Sequence, residues 1–361
     1  MYLSCIRVKT LLPYRPYVKL VPQLVPRPWG GTRLVHLRRH SPDIDPTIDM
    51  PYGESWECAA FKSYDSKILD GWGKGLYFSQ LLTAHGKDIV GKISKEFPLL
   101  IKLIDAAKAL SIQVHPGDED LVDECKMRAK NEAWVILKAE ADACIWLGFK
   151  DNISDAEARQ LIGEPPVDQL QTDRRLVHEQ IDGDALVASL RKLRVRSGDI
   201  INVPAGTVHA IGGGILLAEV QQASDTTFRI FDWDQRKTAG AKRELHLSEA
   251  RQVIRPSQRP AIARGDLHTP YFRMSHRMRF DPSSLSIYNT AILLMSLSPH
   301  SHQLSVGSFR TVLNPFDLVL LPQKTIQEKE SVRISSPQTS SYDNNINKDE
   351  GYIEHLIISL T

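Results

Sequence analysis

Residues Ser197 to His209 read SGDIINVPAGTVH, with Gly198, Pro204, Gly206 and His209 separated by five, one and two residues. A strand-sized apolar run enters a turn in which Pro fixes φ and Gly allows φ > 0, and the turn carries His209 inward. Upstream, LSIQVHP places Gln113 and His115 two residues apart, and KNEAW adds Glu132. Side chains at i and i+2 of a strand share one face, so Gln113 and His115 reach the same point inside a β-barrel. A lone His on an apolar strand reads as a hydrogen-bonded core residue. Two His with Gln and Glu at matched spacing read as a divalent metal site built from Gln113, His115, Glu132 and His209.

The rest of the chain is compatible with such a site. At 361 residues, 42% hydrophobic and 24% charged, it has the length of two ordinary domains. No stretch approaches the roughly 20 uninterrupted apolar residues of a spanning helix, and the longest apolar runs are strand-sized. Lys plus Arg number 45 against 43 Asp plus Glu, a net +2. That balance argues against a nucleic-acid surface and makes any anion site local. Cys5, Cys58, Cys125 and Cys144 are widely separated and form no CxxC pair, which fits a reducing cytoplasm better than a disulfide framework. The first 40 residues are basic and carry no acid, yet Arg7, Lys9, Pro13 and Arg15 interrupt the apolar core that a secretory signal needs. Residues 1–17 are therefore read as a basic tail, with folding beginning near Val18.

Strand-like segments run from Val18 to Leu34 and from Tyr52 to Phe61. Helix-like composition follows at 75–92 and 118–129. Ser154 with Glu157 makes a capping box, and a further helix is expected over Asp184–Lys192. Strands resume at Leu193, with Val195–Val203, Ile215–Gln222 and Thr227–Trp233 surrounding His209. Short strands with inserted helices argue for β-barrels and against a doubly wound parallel sheet. The expected division is a metal-binding domain over 18–255 with a helical insertion at about 151–192, a linker over 256–270, and a degenerate barrel over 271–361. In that last part Asp317, Pro322 and Gln327 repeat the intervals of Asp199, Pro204 and His209, a weak internal repeat that sets Gln327 where a ligand His stands. Residues 335–349 are polar and read as a loop before a final strand, Tyr352–Leu360.

Taken together, WGG at Trp29–Gly31, GESWE at Gly53–Glu57, LLIKLIDAAKALSIQVHP at Leu99–Pro116, KNEAW at Lys130–Trp134 and PAGTVHAIG ending at Gly212 carry a specific resemblance. The chain resembles the cupin-fold, zinc-dependent type I mannose-6-phosphate isomerases in their short bacterial form. The likeness runs from PRPWGGTRL through FRIFDWDQ and more faintly to the end. It implies a mainly-β fold of two cupin-like β-barrel (jelly-roll) domains, one zinc ion held by Gln113, His115, Glu132 and His209, and a phosphosugar substrate. It also implies catalytic roles for Arg229, Asp225 and Lys130, and substrate contacts from Ser111, Lys130 and Arg229. Longer family members have Pro where Asn131 stands, and a distinct segment at Arg229-Ile230-Phe231.

The residue types suit that chemistry. Aldose–ketose isomerisation moves a proton between C2 and C1 through an enediol whose oxygens gather negative charge. Two imidazoles, one carboxylate and a neutral amide leave a zinc ion electrophilic. Arg229 keeps its charge and so stabilises an enediolate without acting as a base. Lys130 beside Glu132 suits proton transfer, and Asp225 suits holding a proton. Ser111 shares the interior face of Gln113 and offers a hydroxyl, and Lys102 offers a cation to a phosphate dianion. The competing readings are an iron-dependent cupin oxygenase, disfavoured by Gln113 and the missing third His, and a non-catalytic phosphosugar-binding bicupin.

Overall fold

A computed structural model describes residues 12–37, 51–61, 64–120, 128–163, 181–233, 243–335 and 354–361. Its framework is antiparallel β-sheet in stacked layers. One seven-stranded sheet runs in the order Ile262–Ala263, Ile200–Val203, Glu132–Ala139, Ile215–Gln222, Leu99–Ala106, Gln23–Gly31, Tyr52–Cys58. A five-stranded sheet faces it in the order Leu190–Arg194, Cys144–Phe149, His209–Ile211, Ile112–Val114, Phe228–Phe231. The C-terminal third contributes five strands of a second seven-stranded sheet, which Val18–Leu20 and Ile68–Gly71 complete along one side, together with a three-stranded sheet. The fold is thus mainly β and cupin-like, as expected, with facing sheets that form separate ladders among the described residues.

Strand alternation decides where each layer's apolar surface goes. In Leu99–Ala106, Leu99, Ile101 and Leu103 pack with Phe272, Met274, Leu293 and Ile358, so the two seven-stranded sheets press back to back. The opposite face of the same strand gives Ile104 and Ala106 to a core shared with Ile145, Leu147 and Ile211 of the five-stranded sheet. Glu132, Lys102 and Glu219 stand on that inner face, in line with Trp134, Ile104 and Leu217 respectively. Each of these strands therefore closes one core with part of its inner row and carries its chemistry on the rest. The outer face of the five-stranded sheet is covered by short helices through Phe149, Ala158, Leu186 and Leu247.

Several expectations held. Phe78–Val90 is helical and ends on Gly91 in a left-handed conformation. Ser154 and Glu157 form the capping box of Asp155–Leu161. Ile215–Gln222 is a strand over its full expected length, and Phe228–Phe231 and His355–Leu360 lie inside theirs.

Others need correction. The helix expected over Asp184–Lys192 is Gly183–Ser189, and Leu190–Arg194 is an edge strand paired with Cys144–Phe149. Pairing to that neighbour overrides the helix preference of Arg191 and Lys192. Val195–Val203 is not one strand: Gly198 at φ 84° turns the chain, and the strand is Ile200–Val203. In the stretch expected as helix over 118–129, Asp118–Asp120 is a 3-10 turn, Arg128 and Ala129 are in no regular element, and 121–127 lie outside the described residues. Residues 256–270, read as a linker, hold Ile262–Ala263, paired with Ile200–Val203, and Asp266–His268, paired with Phe272–Arg277.

The internal repeat is geometric at its start and lost at its end. Asp199 accepts a hydrogen bond from the Arg196 amide at 2.9 Å, and Asp317 accepts one from the Asn314 amide at 2.8 Å, closing equivalent turns. After Pro322, however, the chain forms the helix Gln323–Gln327, so Gln327 occupies no strand corresponding to that of His209. The loop expected at 335–349 lies, beyond Ser335, outside the described residues, as do residues 1–11 of the tail. Tyr14 of that tail packs edge-on against Trp72 at 5.1 Å.

Candidate metal centre

Gln113 and His209 are direct cross-strand partners in the five-stranded sheet. Glu132 begins its strand in the facing sheet, between Val203 and Gln221. His115 follows the strand of Gln113 by one residue, so the four predicted ligands bridge the two sheets. His115, Glu132 and His209 are buried, with ligand atoms all within 4.8 Å of one another. Among the described residues no other cluster of this kind occurs.

The hydrogen bonds fix which atoms face the centre. The Nδ1 atoms of His115 and His209 each lie 2.9 Å from a backbone carbonyl oxygen, of Thr226 and Thr207 respectively, and so carry the proton. Each Nε2 is then a lone pair directed inward. Burial, with Lys130 adding to it, drives the His209 imidazole down to about 4 and His115 well below its ordinary value, so both rings are neutral. His209 Nε2 is 3.3 Å from Glu132 Oε1, and His115 Nε2 is 3.5 Å from Glu132 Oε2. Glu132 Oε1 is buried and accepts no hydrogen bond among the described residues. Gln113 points Nε2 at His209 Nε2, 3.3 Å away, and Oε1 at the Ser111 hydroxyl, 3.4 Å away. Exchanging the ends of that amide aims Oε1 at the same centre. Two imidazole lone pairs, a carboxylate and an amide thus converge with a single protein cation among them, Lys130, whose Nζ contacts Glu132 and lies 3.0 Å from His115 Nε2. That donor set fits a divalent ion.

Gln113 and Lys130 reach the wall of a cleft of about 450 Å³, which Ser111, Lys102, Asp225 and Arg229 also line. The predicted substrate and catalytic residues therefore share one cavity with Gln113, the member of the cluster that reaches its wall. Arg229 stands across from Gln113 in the sheet and donates from Nη1 to the Glu244 carbonyl at 2.8 Å. Its Nε is buried without a hydrogen-bond partner among the described residues, and burial beside Arg243 lowers its pKa. Asp225 sits exposed in the same cleft, and Ser111 is buried.

Lys102 is buried at 3.2 Å from Glu219, its cross-strand partner, and lies over the Trp56 ring at 5.3 Å. Burial lowers its pKa, but Glu219, Glu54 and Glu132 outweigh this and the net direction is upward. Glu54 in turn accepts from Arg27 at 2.8 Å and from the Trp56 indole at 2.9 Å. Sequence reasoning missed Glu54, Glu219, Arg27 and Arg243, all of which line the cleft. Glu219 was visible as the one acid inside the run ILLAEVQQ, and Glu54 shares a strand face with Trp56 two positions on. A larger concavity of about 590 Å³ lies beside the two short helices at 155–161 and 183–189. Two of its acids, Glu157 and Asp182, are already engaged as helix caps.

The chain is similar to known proteins in both sequence and fold. Residues 17–142 match the family model "Phosphomannose isomerase type I, catalytic domain". Mannose-6-phosphate isomerase ManA of Bacillus subtilis is 37% identical over 231 residues, 63% of this chain and 64% of that protein. Mannose-6-phosphate isomerase of Streptococcus mutans is 30% identical over 305 residues, 81% of this chain and 88% of that protein. The crystal structure of the Bacillus subtilis mannose 6-phosphate isomerase superposes with a TM-score of 0.69 at 22% identity, covering 95% of this chain and 99% of that one. A zinc-bound mannose 6-phosphate isomerase structure shares the fold at a TM-score of 0.63 and 15% identity, over 96% of this chain and all of that one. Its likeness to the Streptococcus mutans protein along most of both sequences shows that the chain belongs to the mannose-6-phosphate isomerase family.

Proposed function

We propose that the protein is a zinc-dependent aldose–ketose isomerase that interconverts mannose 6-phosphate and fructose 6-phosphate through a cis-enediol intermediate. The observation that carries this reading is the convergence of two imidazole nitrogens and a carboxylate, with the Gln113 amide beside them, next to a cleft lined by Lys102, Lys130 and Arg229. Gln113, His115, Glu132 and His209 would hold the ion, which would supply electrophilic stabilisation to the charge developing on the sugar oxygens. Zinc is the metal bound in one of the fold relatives, and N/O ligands suit it.

Arg229 stabilises the enediolate. Its guanidinium keeps its charge, and its buried Nε is a donor with no other partner among the described residues. Lys130 moves the proton between C2 and C1, since its nitrogen lies at the ligands and so next to any sugar oxygen bound there. Asp225 holds or receives a proton in the same cleft. The buried Ser111 hydroxyl and Lys102 take the phosphate side of the substrate. Glu219 and Glu54 hold Lys102 in its charged form against the cost of burial. Neither a nucleic-acid nor a membrane partner is part of this reading, and no helix among the described residues is long and apolar enough to cross a membrane. The buried thiols of Cys58 and Cys144 are free, in keeping with a reducing cytoplasm.

The deciding experiment is a coupled assay of mannose 6-phosphate conversion before chelation, after it, and after zinc is returned. Activity that disappears with the chelator and returns with the metal supports the reading. Turnover indifferent to chelation removes the metal from it. Absence of isomerisation in the zinc-loaded protein leaves the phosphosugar-binding alternative.

A further inference from the structure

The two histidines reach the metal centre on separate turns, and the same short segment touches both. The Arg255 amide donates to the Gly206 carbonyl at 2.8 Å. Gln258 Nε2 donates to the Ala205 carbonyl at 3.1 Å, and the Thr207 hydroxyl donates to Gln258 Oε1 at 2.5 Å. Residues 255–258 therefore grip the turn that delivers His209. The Arg255 side chain runs the other way. Its Nη2 donates to Asp120 Oδ1 at 2.5 Å and Glu119 Oε1 at 3.2 Å, in the turn that follows His115. Asp120 closes that turn by accepting from the Gly117 amide at 2.8 Å. The two turns also meet directly, the Gly206 amide donating to the His115 carbonyl at 2.9 Å. The fit at this crossing leaves no room for a side chain: a Cβ on Gly206 would lie 2.3 Å from Arg255 Cγ.

We propose that Arg255 is a positioning residue for the metal site, fixing the separation of His115 and His209 by bracing their two turns against each other. The proposal rests on the metal reading above. An exposed ion pair adds little to global stability, and Arg255 is only partly buried. Its effect is instead on ligand geometry, to which metal affinity is sensitive. With the guanidinium removed, the turn after His115 keeps its internal bond, the Gly206–His115 bond and the Tyr271 hydroxyl on Asp118 at 2.7 Å, but loses the side-chain brace to residues 255–258 that sets it against the turn of His209.

The test uses the full chain as Arg255→Ala, Arg255→Lys, Asp120→Ala and the Arg255→Ala/Asp120→Ala double variant. Zinc affinity is measured by competition with a chromophoric chelator, and ligand geometry by the visible spectrum of the cobalt(II)-substituted protein. Arg255→Ala is expected to weaken zinc about 10-fold or more and to change the cobalt spectrum, with Arg255→Lys recovering part of the loss. The double variant should lose no more than the larger single loss, because both remove one interaction. Wild-type zinc competition and an unaltered cobalt spectrum in Arg255→Ala overturn the proposal, as do additive losses. Should Arg255→Ala fail to fold, Asp120→Ala against Arg255→Lys decides by the same criteria. Failure of the wild-type protein to bind zinc overturns the metal reading along with this one, a pattern distinct from wild-type binding that no variant disturbs.

Discussion

At His209 the ring commits Nδ1 to the Thr207 carbonyl and turns Nε2 toward Glu132 Oε1, 3.3 Å away, where a metal would be held. His209→Ala is therefore expected to lose most bound metal and nearly all activity together, since one lost ligand in four weakens such a site severely. Full metal occupancy with normal turnover, measured by elemental analysis and the coupled assay, would refute the assignment. Arg229 gives the opposite pattern. Arg229→Lys keeps the charge but not the planar fork of donors, so metal content and folding should be normal while kcat falls by roughly 10²–10³, or about 3–4 kcal/mol. An unchanged kcat with a raised KM would make Arg229 a phosphate clamp. Glu54 supplies the pH test. Burial raises its pKa, but Lys102 and Arg27 outweigh this and hold it below the ordinary value of 4.5. A carboxylate lowered in the fold contributes stability above the unfolded pKa and loses it as pH falls through the folded one. Urea midpoints of the wild-type protein should therefore drop below about pH 4.5 more steeply than those of Glu54→Gln, and parallel acid limbs would remove Glu54 from that role. The cluster of Gln113, His115, Glu132 and His209 was legible because motif spacing marks it, whereas Arg229 was named only through the family resemblance. Glu54 and Glu219 were not legible, because a buried acid is recognised by its cationic neighbour, and Lys102 lies far from both in sequence.

At the scale of strands, the period of two made much of the fold readable. Ile215–Gln222 was legible because its inner row changes from Ile215 and Leu217 to Glu219 and Gln221 while its outer row is apolar through Leu216, Ala218 and Val220. The sheet-edge strand Leu190–Arg194 was not, since its partner Cys144–Phe149 decides its conformation and Arg and Lys favour a helix on their own. Turn chemistry was legible at Pro204 and Gly206, where Gly206 has φ 84°, and was overlooked at Gly198, where the same φ cuts an apparent strand in two. The alternation also separates stability from metal binding along a single strand. Ile101 faces the second seven-stranded sheet, and its neighbour Lys102 faces the cleft. Ile101→Ala should cost about 2–5 kcal/mol of unfolding free energy and leave zinc affinity in the folded protein at the wild-type level. A denaturant titration and a chelator competition check the two halves, and a large fall in zinc affinity without destabilisation would show that the two faces are not independent.

For the molecule as a whole, the division into a metal-binding part and a C-terminal part understates their contact. Val18–Leu20 pairs with Leu318–Leu321, Lys19 is buried against Asp317, and the two seven-stranded sheets share one core. Such contacts join residues about 300 positions apart and leave no local pattern in the sequence; residues 256–270 read as a linker because their two strands, Ile262–Ala263 and Asp266–His268, are only two and three residues long among prolines. A shared core makes metal binding a global stabiliser. The predicted ligands come from the two facing sheets, so unfolding scatters them, and an ion held only by the native state adds stability as RT ln(1 + [L]/Kd). At free zinc one hundred times its Kd that is about 2.7 kcal/mol, which for a protein of this length is a rise in Tm on the order of 5 °C. Zinc should therefore move the whole unfolding transition upward as a single step in calorimetry, EDTA should return it, and His209→Ala should show no shift with either. Two separate transitions, of which zinc moves only the first, would mean that the back-to-back sheets do not unfold together, and no shift at all in the wild-type protein would remove the metal from the folded state.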